Sequence, residues 1–508
     1  MKAKLDLLLI NPGDRKEIYQ SLGSGGISAI EVPVWAGLMA SYVLTKGYSV
    51  EIIDANAEGF SPNEIAERVK DAEPVLTAVV VYGHNPSAST QVMPSARRIC
   101  SAIKNLVPEQ KIIMVGGHVA ALPKRTLLEE EVDFVCTGEG PVTLVELIQY
   151  LKAGERSDKS KIHGLIYREN DTVFSTTPAP NITNLDQEMP GIPWHLLPMT
   201  KYRTFNWHGL GYPTRSPSAS IYTTLGCPYK CEFCCIQAPF KEGEKMIGLK
   251  PEVNSYRFWS PEHIVREVKL LVENYGVKFL KFADEMYFLN AKHNNGISEG
   301  LIREGLGDWL DIWSYARVDT VKNDQAIDLA RRSGMHWFCL GIESASEHVR
   351  GDINKSYRQE NIFSCIEKSR KAGINIIANF IAGLPEDNLE TLNENLDMAL
   401  KLNTEWFTIY SAMAYPGSEL YRRAVREGWR LPDGWIGYSQ HSTETLPVPT
   451  KHLTGGQVLG FRDYAHNRYF TNPDYLAMVE KKFGPLAIKT IDEMMANKLV
   501  RKHAEIYF

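Results

Sequence analysis

Three cysteines in one short stretch carry the most chemistry in this sequence: Cys227, Cys231 and Cys234, within Leu-Gly-Cys-Pro-Tyr-Lys-Cys-Glu-Phe-Cys. Thiolates are soft ligands, and three of them spaced C-x3-C-x2-C can wrap one small inorganic centre, an iron–sulfur cluster or zinc. A four-iron cubane held by three thiolates keeps one iron without a protein ligand, and an open iron can bind and activate a substrate. A structural zinc site usually asks for four N or S ligands, often as two separated pairs, and no second Cys/His pair at finger-like spacing follows nearby. The polar turn residues Gly226, Pro228, Lys230 and Glu232 argue against burial as ordinary core. A surface redox pair is the other bland reading. The adjacent Cys235 reads as a lining residue or a spare thiol.

The loop has to be placed by what surrounds it. Upstream, apolar runs at 5–10, 50–54, 76–82, 111–115 and 133–136 alternate with helical periods at 34–46, 62–71, 93–106 and 142–151. Strands alternating with helices predict a doubly wound, flavodoxin-like parallel sheet, whose ligands bind beyond the carboxyl ends of its strands at a topological switch point. The predicted loops there are Asn11-Pro12-Gly13 with Gly23 to Gly26, then Tyr82-Gly83-His84-Asn85-Pro86-Ser87, then Gly116-Gly117-His118, then Thr137-Gly138-Glu139-Gly140. Glycine there lets a bulky ligand approach the backbone, but glycine at βα turns is common in every such sheet. These loops alone therefore leave a ligand open.

Downstream, the run at 219–225 enters the cysteine loop, and further runs follow at 277–283, 312–318, 337–342, 374–381 and 407–413, separated by helical stretches. Repeats of this kind predict a partial TIM-like (β/α)6 barrel, with its chemistry at the carboxyl ends of the strands. Asp284 and Glu285, Arg317, Glu343 and Ser344, and Gly383 fall at those ends. Each has an ordinary alternative: Asp284 a helix cap, Arg317 a surface ion pair, Gly383-Leu384-Pro385 a turn. Tyr410, Met413 and Tyr415 near the sixth strand shape a substrate pocket or fill core. The expected organisation is an N-terminal α/β domain over 1–151, a linker over 152–217 with a small hairpin near 164–175, the barrel over 218–425, and a mostly helical region over 426–508.

Composition narrows the field. A chain of 508 residues exceeds one ordinary core. Its 44% hydrophobic and 23% charged residues are those of a globular protein, and a net charge of −5 gives no electrostatic footprint for nucleic acid. No apolar run approaches a membrane span, and the first residues are too short an apolar stretch for a signal peptide. Eight cysteines, three of them in one loop, do not make a disulfide framework, so a reducing, cytoplasmic location is expected.

The C-x3-C-x2-C loop after a strand resembles the signature of the radical S-adenosylmethionine (SAM) superfamily. The order Gly116-Gly117-His118, Leu122-Pro123, Asp133 and Gly138-Glu139-Gly140 resembles the domain that binds cobalamin in its cobalamin-dependent branch. The resemblance implies a 4Fe-4S cluster on Cys227, Cys231 and Cys234, SAM contacts at Phe233, Asp284, Glu285, Arg317, Glu343, Ser344 and Gly383, and cobalamin contacts at Asn11, Tyr82, Gly83, Ser87, Gly116, Gly117, His118, Gly138, Glu139 and Gly140. The Asp-x-His-x-x-Gly motif that supplies a lower cobalt ligand is missing; Asp54-Ala55-Asn56-Ala57-Glu58-Gly59 mimics it with asparagine after the second strand. The implied activity is C-methylation of a small molecule through a 5'-deoxyadenosyl radical and methylcobalamin, fed by an external electron donor of flavodoxin or ferredoxin type. Relatives with the same two domains act as cyclases or rearranging oxidoreductases. A sensor with a vestigial cluster is disfavoured by the intact cysteines, and a methylthiotransferase by the scarcity of N-terminal cysteines.

Overall fold

A computed structural model describes residues 4–24, 26–154 and 158–506; Gly25, of the glycine-rich segment after the first strand, lies outside them. Apolar runs become strands where both faces are covered, and the first sheet shows this directly. Strands β1 (Leu7–Asn11), β2 (Val50–Asp54), β3 (Leu76–Val80), β4 (Ile112–Val115) and β5 (Phe134–Cys136) are parallel. A hairpin, β6 (Leu165–Glu169) and β7 (Thr172–Ser175), adds to them antiparallel, giving the order β2-β1-β3-β4-β5-β6-β7. The hairpin expected within a linker is thus part of the first sheet. Leu165 and Ile166 bury their side chains, and free backbone groups at the edge of β5 offered a ladder.

The order reverses between β1 and β3, because the chain leaves β1 to one side for β2 and returns to the other for β3. A switch point of that kind opens a crevice beyond the carboxyl ends of the two strands. It singles out the loops after β1 and β3 from the four glycine-bearing candidates.

The second sheet consists of β8 (Ser218–Ile221), β11 (Phe279–Phe282), β12 (Asp311–Arg317), β13 (Met335–Glu343), β14 (Asn375–Ala382) and β15 (Trp406–Ser411), all parallel in the order β15-β14-β13-β12-β11-β8. The run expected as one strand over 219–225 is broken. After β8 the chain leaves the sheet, and β9 (Thr224–Leu225) pairs antiparallel with β10 (Arg257–Phe258). Asp284 causes the break, for its Oδ1 accepts from the backbone N–H and the hydroxyl of both Thr223 and Thr224. Those backbone donors are spent on a side chain, so the ladder cannot continue through them.

Helices Gly455–Phe470, Pro473–Phe483 and Pro485–Ala496 follow the barrel. Before them, Trp435 returns to the first domain and packs edge-on to His118, ring centroids 4.4 Å apart. The domains share one apolar core cluster that takes in Leu7, Trp35, Leu225, Phe282, Phe407 and Met494. Two buried ion pairs cross between them. Arg257 Nη2 meets Glu139 Oε2 at 2.8 Å, and Lys281 Nζ meets Glu31 Oε1 at 2.9 Å while also donating to the His84 carbonyl. Among the described residues no helix is long and apolar enough to cross a membrane.

Candidate active site

A cavity of about 850 Å³ lies where the carboxyl ends of the two sheets face each other. The cysteine loop forms part of its wall, with Cys227, Cys231, Phe233, Cys234 and Cys235 all lining it. Gly226 starts the loop at φ +87°, and a Cβ there would run into the Ser255 carbonyl, so the entry turn admits only glycine. Asn254 then donates from Nδ2 to the carbonyls of Cys227 (3.1 Å) and Tyr229 (2.9 Å). Farther along, the Glu232 N–H bonds to the Ile353 carbonyl and its own carbonyl accepts from Leu420 N–H. The loop is held from three sides without any thiol being used.

Burial pushes the Cys227 thiol up to about 12 and the Cys234 thiol well above its usual value. Cys231 is also raised by burial, though Lys355 and Arg317 pull the other way. Left to themselves these groups stay protonated, and metal ions would displace the protons. Among the described residues, no three His, Cys, Asp or Glu side chains converge as a site for a single metal ion.

The strand ends add charge in fixed pairs. Arg317 lays its guanidinium against Asp319 (Nε to Oδ1 2.8 Å, Nη2 to Oδ2 3.1 Å), stacks over Tyr229 and brings Nη1 to 3.6 Å from Cys231 Sγ. Glu343 sits at φ +64°, where side chains other than glycine are strained, just past a register shift between β13 and β14. Its carboxylate is held by Lys355, and both line the cavity. Such local strain is concentrated at functional sites. Glu285 also lines the cavity, and burial pushes its carboxyl up to about 7, with Asp284 adding to the effect and Lys281 opposing it.

Other expected SAM contacts lie behind the wall. Ser344 is fully buried and turns its hydroxyl to Asn395 Oδ1 at 3.2 Å. Gly383 donates its N–H to Asp387 and abuts Val458, so its missing side chain makes room for the helix Gly455–Phe470. Asp284 is fully buried, and its Oδ2 has no hydrogen-bond partner among the described residues. Burial raises its carboxyl to about 6 while the four donors oppose the rise. A folded value above the ordinary aspartate value of 3.8 means that stability is lost as pH climbs from there through about 6. Asp284→Asn, which keeps the Oδ1 acceptor, is therefore expected to keep the fold and flatten this loss in urea titrations at pH 4 to 8. Asp284→Ala, which leaves buried donors unmet, is expected to cost about 3 kcal/mol or more.

On the first-domain side, Asn11, Gly83 and Ser87 line the cavity, all from loops at the switch point. The remaining expected contacts do not. Tyr82 stacks on Trp35 at 4.3 Å and donates to the Glu139 carbonyl; with Gly117 it lines a separate crevice of about 20 Å³ against the cysteine loop. Gly116 lies tight against the Val81 carbonyl, and Gly140 against Met39 and Val115. His118 is buried with Nδ1 at 3.1 Å from Thr90 Oγ1. Gly138 faces the Pro239 carbonyl. Glu139 is occupied by Arg257 and the Ile182 N–H. Asn56, in the segment that mimics a cobalt-ligand motif, does line the cavity, while Asp54 caps its short helix by accepting from Ala57 N–H.

Tyr410, Met413 and Tyr415 line the cavity too, Tyr410 exposed and Met413 buried. Residues the sequence did not single out complete it, among them Arg15, Glu31, Lys355, His441, Arg462 and Lys498. Arg15 Nη1, Ser28 Oγ and Glu31 Oε2 are buried there without hydrogen-bond partners among the described residues.

The family profile of the radical SAM superfamily matches residues 221–399, and that of the B12 binding domain matches residues 27–148. An uncharacterised methyltransferase of Pyrococcus horikoshii is 28% identical over 474 residues, spanning 93% of this chain and 94% of that protein. The anaerobic magnesium-protoporphyrin IX monomethyl ester cyclase of Cereibacter sphaeroides is 26% identical, over 87% of this chain and 68% of its own. Among solved structures, the radical SAM methyltransferase TsrM of Kitasatospora setae, with cobalamin and a [4Fe-4S] cluster bound, superposes with a TM-score of 0.68 at 14% identity, covering 97% of this chain and 99% of that one. At that identity the likeness is one of fold.

Proposed function

Since the chain is a radical SAM protein that also carries a B12-binding domain, we propose that it is a C-methyltransferase acting on an unactivated carbon of a small molecule. One observation supports this above the others: the three sulfurs and the β1/β3 switch point open onto the same cavity. Cys227, Cys231 and Cys234 would hold a [4Fe-4S] cluster, the strand ends beside them would hold SAM, and the loops after β1 and β3 would hold cobalamin. The donor set fits. All three thiols line the cavity, and thiolates on separate irons need not converge on a common point as ligands of one ion must. The unpartnered Arg15 Nη1, Ser28 Oγ and Glu31 Oε2 suit the amide-fringed edge of a corrin ring.

When bound, the cluster would supply the electron that splits SAM into methionine and a 5'-deoxyadenosyl radical, and cobalamin would supply the methyl group. The side chains bind, orient and exclude water. Arg317, fixed in plane by Asp319, offers a cation to a carboxylate such as that of SAM, and Glu285 an acceptor to its amino group. Glu343, steadied by Lys355, and Phe233 would position the nucleoside. Asp284, Ser344 and Gly383 act from behind the wall, shaping the strand ends. Tyr410, Met413 and Tyr415 would confine the substrate. A reduced cluster calls for an external donor of flavodoxin or ferredoxin type and for the cytoplasm.

A cyclase without net methyl transfer is the second reading, favoured by the similarity to the Cereibacter sphaeroides enzyme. Full-length protein purified without oxygen is expected to carry about four irons and a corrinoid. Incubated with methyl-labelled SAM and an extract, it is expected to label one metabolite with a mass gain of CH2. Loss of hydrogen or gain of oxygen, with no label, would establish the cyclase instead. Colourless protein lacking both metal and corrinoid sinks both.

A further inference from the structure

Charge along the cavity wall is balanced at one end and unbalanced at the other. Where the cysteine loop meets the wall, the lining cations Arg317 and Lys355 have their carboxylates in Asp319 and Glu343. Beyond β15, at the opposite edge of the six-stranded sheet, three cations face one carboxylate. Arg462 Nη1 and Arg501 Nε reach the two oxygens of Asp463 at 2.6 Å and 3.0 Å. Lys498, which lines the cavity, has no carboxylate partner among the described residues.

The two arginines are not equivalent. Arg501 is used up, since besides Asp463 it donates from Nη1 to the carbonyls of Gln440 and Ser442 and to the Thr445 hydroxyl. Arg462 lines the cavity, is fastened by Nε to the Ile409 carbonyl at 3.1 Å and by Nη1 to Asp463, and keeps Nη2 without a hydrogen bond among the described residues. Beside it the Nδ1 atom of His441 is buried with no hydrogen-bond partner among the described residues, although its ring also lines the cavity. A buried, unmet ring nitrogen is costly unless a ligand satisfies it. Burial, reinforced by Arg462, Arg501 and His466 and opposed by Asp463, pushes His441 well below its usual range.

We infer that Arg462, His441 and Lys498 form an oxyanion-binding subsite, and that the substrate is a small molecule bearing a carboxylate or phosphate that docks there. A molecule anchored beside β15 extends across the cavity toward the sulfurs after β8, which sets its reacting carbon away from its charged end. Arg462 supplies the directional bond, Lys498 the unpaired charge, and His441 a hydrogen bond from Nδ1–H. Asp463, which also lines the cavity, and Arg501 are positioning residues: Asp463 holds the Arg462 guanidinium and Arg501 holds Asp463. The inference deepens the proposed function and rests on this cavity being its reaction chamber.

Its test is a calorimetric titration of the full-length, cluster-reconstituted protein with benzoate, phenyl phosphate and the neutral benzamide. One of the two anions is expected to bind at least about tenfold tighter than benzamide, and which one does so separates a carboxylate substrate from a phosphate. Arg462→Gln and Lys498→Gln are each expected to weaken that anion about fivefold or more without changing benzamide. Lys498 is exposed, so its variant leaves the fold undisturbed even where Arg462→Gln unsettles Asp463. Equal affinity for all three probes, no binding of any, or anion affinity unchanged in both variants overturns the subsite. SAM cleavage assayed on the same sample keeps the hypotheses apart: cleavage without anion preference refutes only the subsite, and anion preference without cleavage refutes only the proposed function.

Discussion

Replacing Cys227, Cys231 and Cys234 together with alanine is expected to strip the protein of iron and to drop SAM cleavage by at least about a thousandfold, because the whole rate acceleration passes through that centre. The fold should survive. The loop is held by Asn254, by the Gly226 turn and by the backbone bonds to Ile353 and Leu420, none of which involves a sulfur. Iron and sulfide analysis, the visible absorption band and the yield of 5'-deoxyadenosine each check the outcome, with circular dichroism as the control for folding. Undiminished cleavage in the triple variant would refute the assignment of the cluster to this loop. Cys235→Ala, which alters a neighbour lining the same wall, is the matched comparison.

The second large effect concerns the seam between the domains. Lys281 and Glu31 are buried to side-chain exposures of 4% and 9%, and Glu31 Oε2 already lacks a partner among the described residues. Lys281→Met would leave a buried carboxylate with neither oxygen matched, at a cost of about 3–5 kcal/mol in unfolding free energy. Adding Glu31→Gln should restore much of that loss, since the orphaned charge is then gone. Urea denaturation of the wild type, both single variants and the double variant measures the coupling. If Lys281→Met unfolds at the wild-type midpoint, the pair contributes nothing and the seam is held by apolar contact alone.

Local patterns were legible in the sequence, and long-range partnerships were not. The cysteine spacing lies within one loop and the βα alternation within short windows, so both could be read from neighbours alone. Glu139 could not, because its glycine-flanked setting looks like a ligand loop while its actual partner, Arg257, stands 118 residues away. Asp284 likewise sits at a strand end where a ligand contact was expected, yet its four hydrogen bonds turn the chain entering the cysteine loop. Among the four glycine-bearing loops, only strand order distinguishes those at the β1/β3 reversal, and strand order is a property of the assembled sheet. Arg462 and His441 had no signature. They come from segments after the barrel, and only the packing of helix Gly455–Phe470 on β15 brings Arg462 to the Ile409 carbonyl.

Because a single greasy interior runs from Leu7 in the first sheet to Met494 in the last helix, neither half is a cassette. A hybrid grafting the front of one relative onto the back of another would have to match dozens of contacts at once. Divergence toward new reactants is therefore channelled to the few rim positions, such as Tyr410 and Lys498, that can change without reopening the seam.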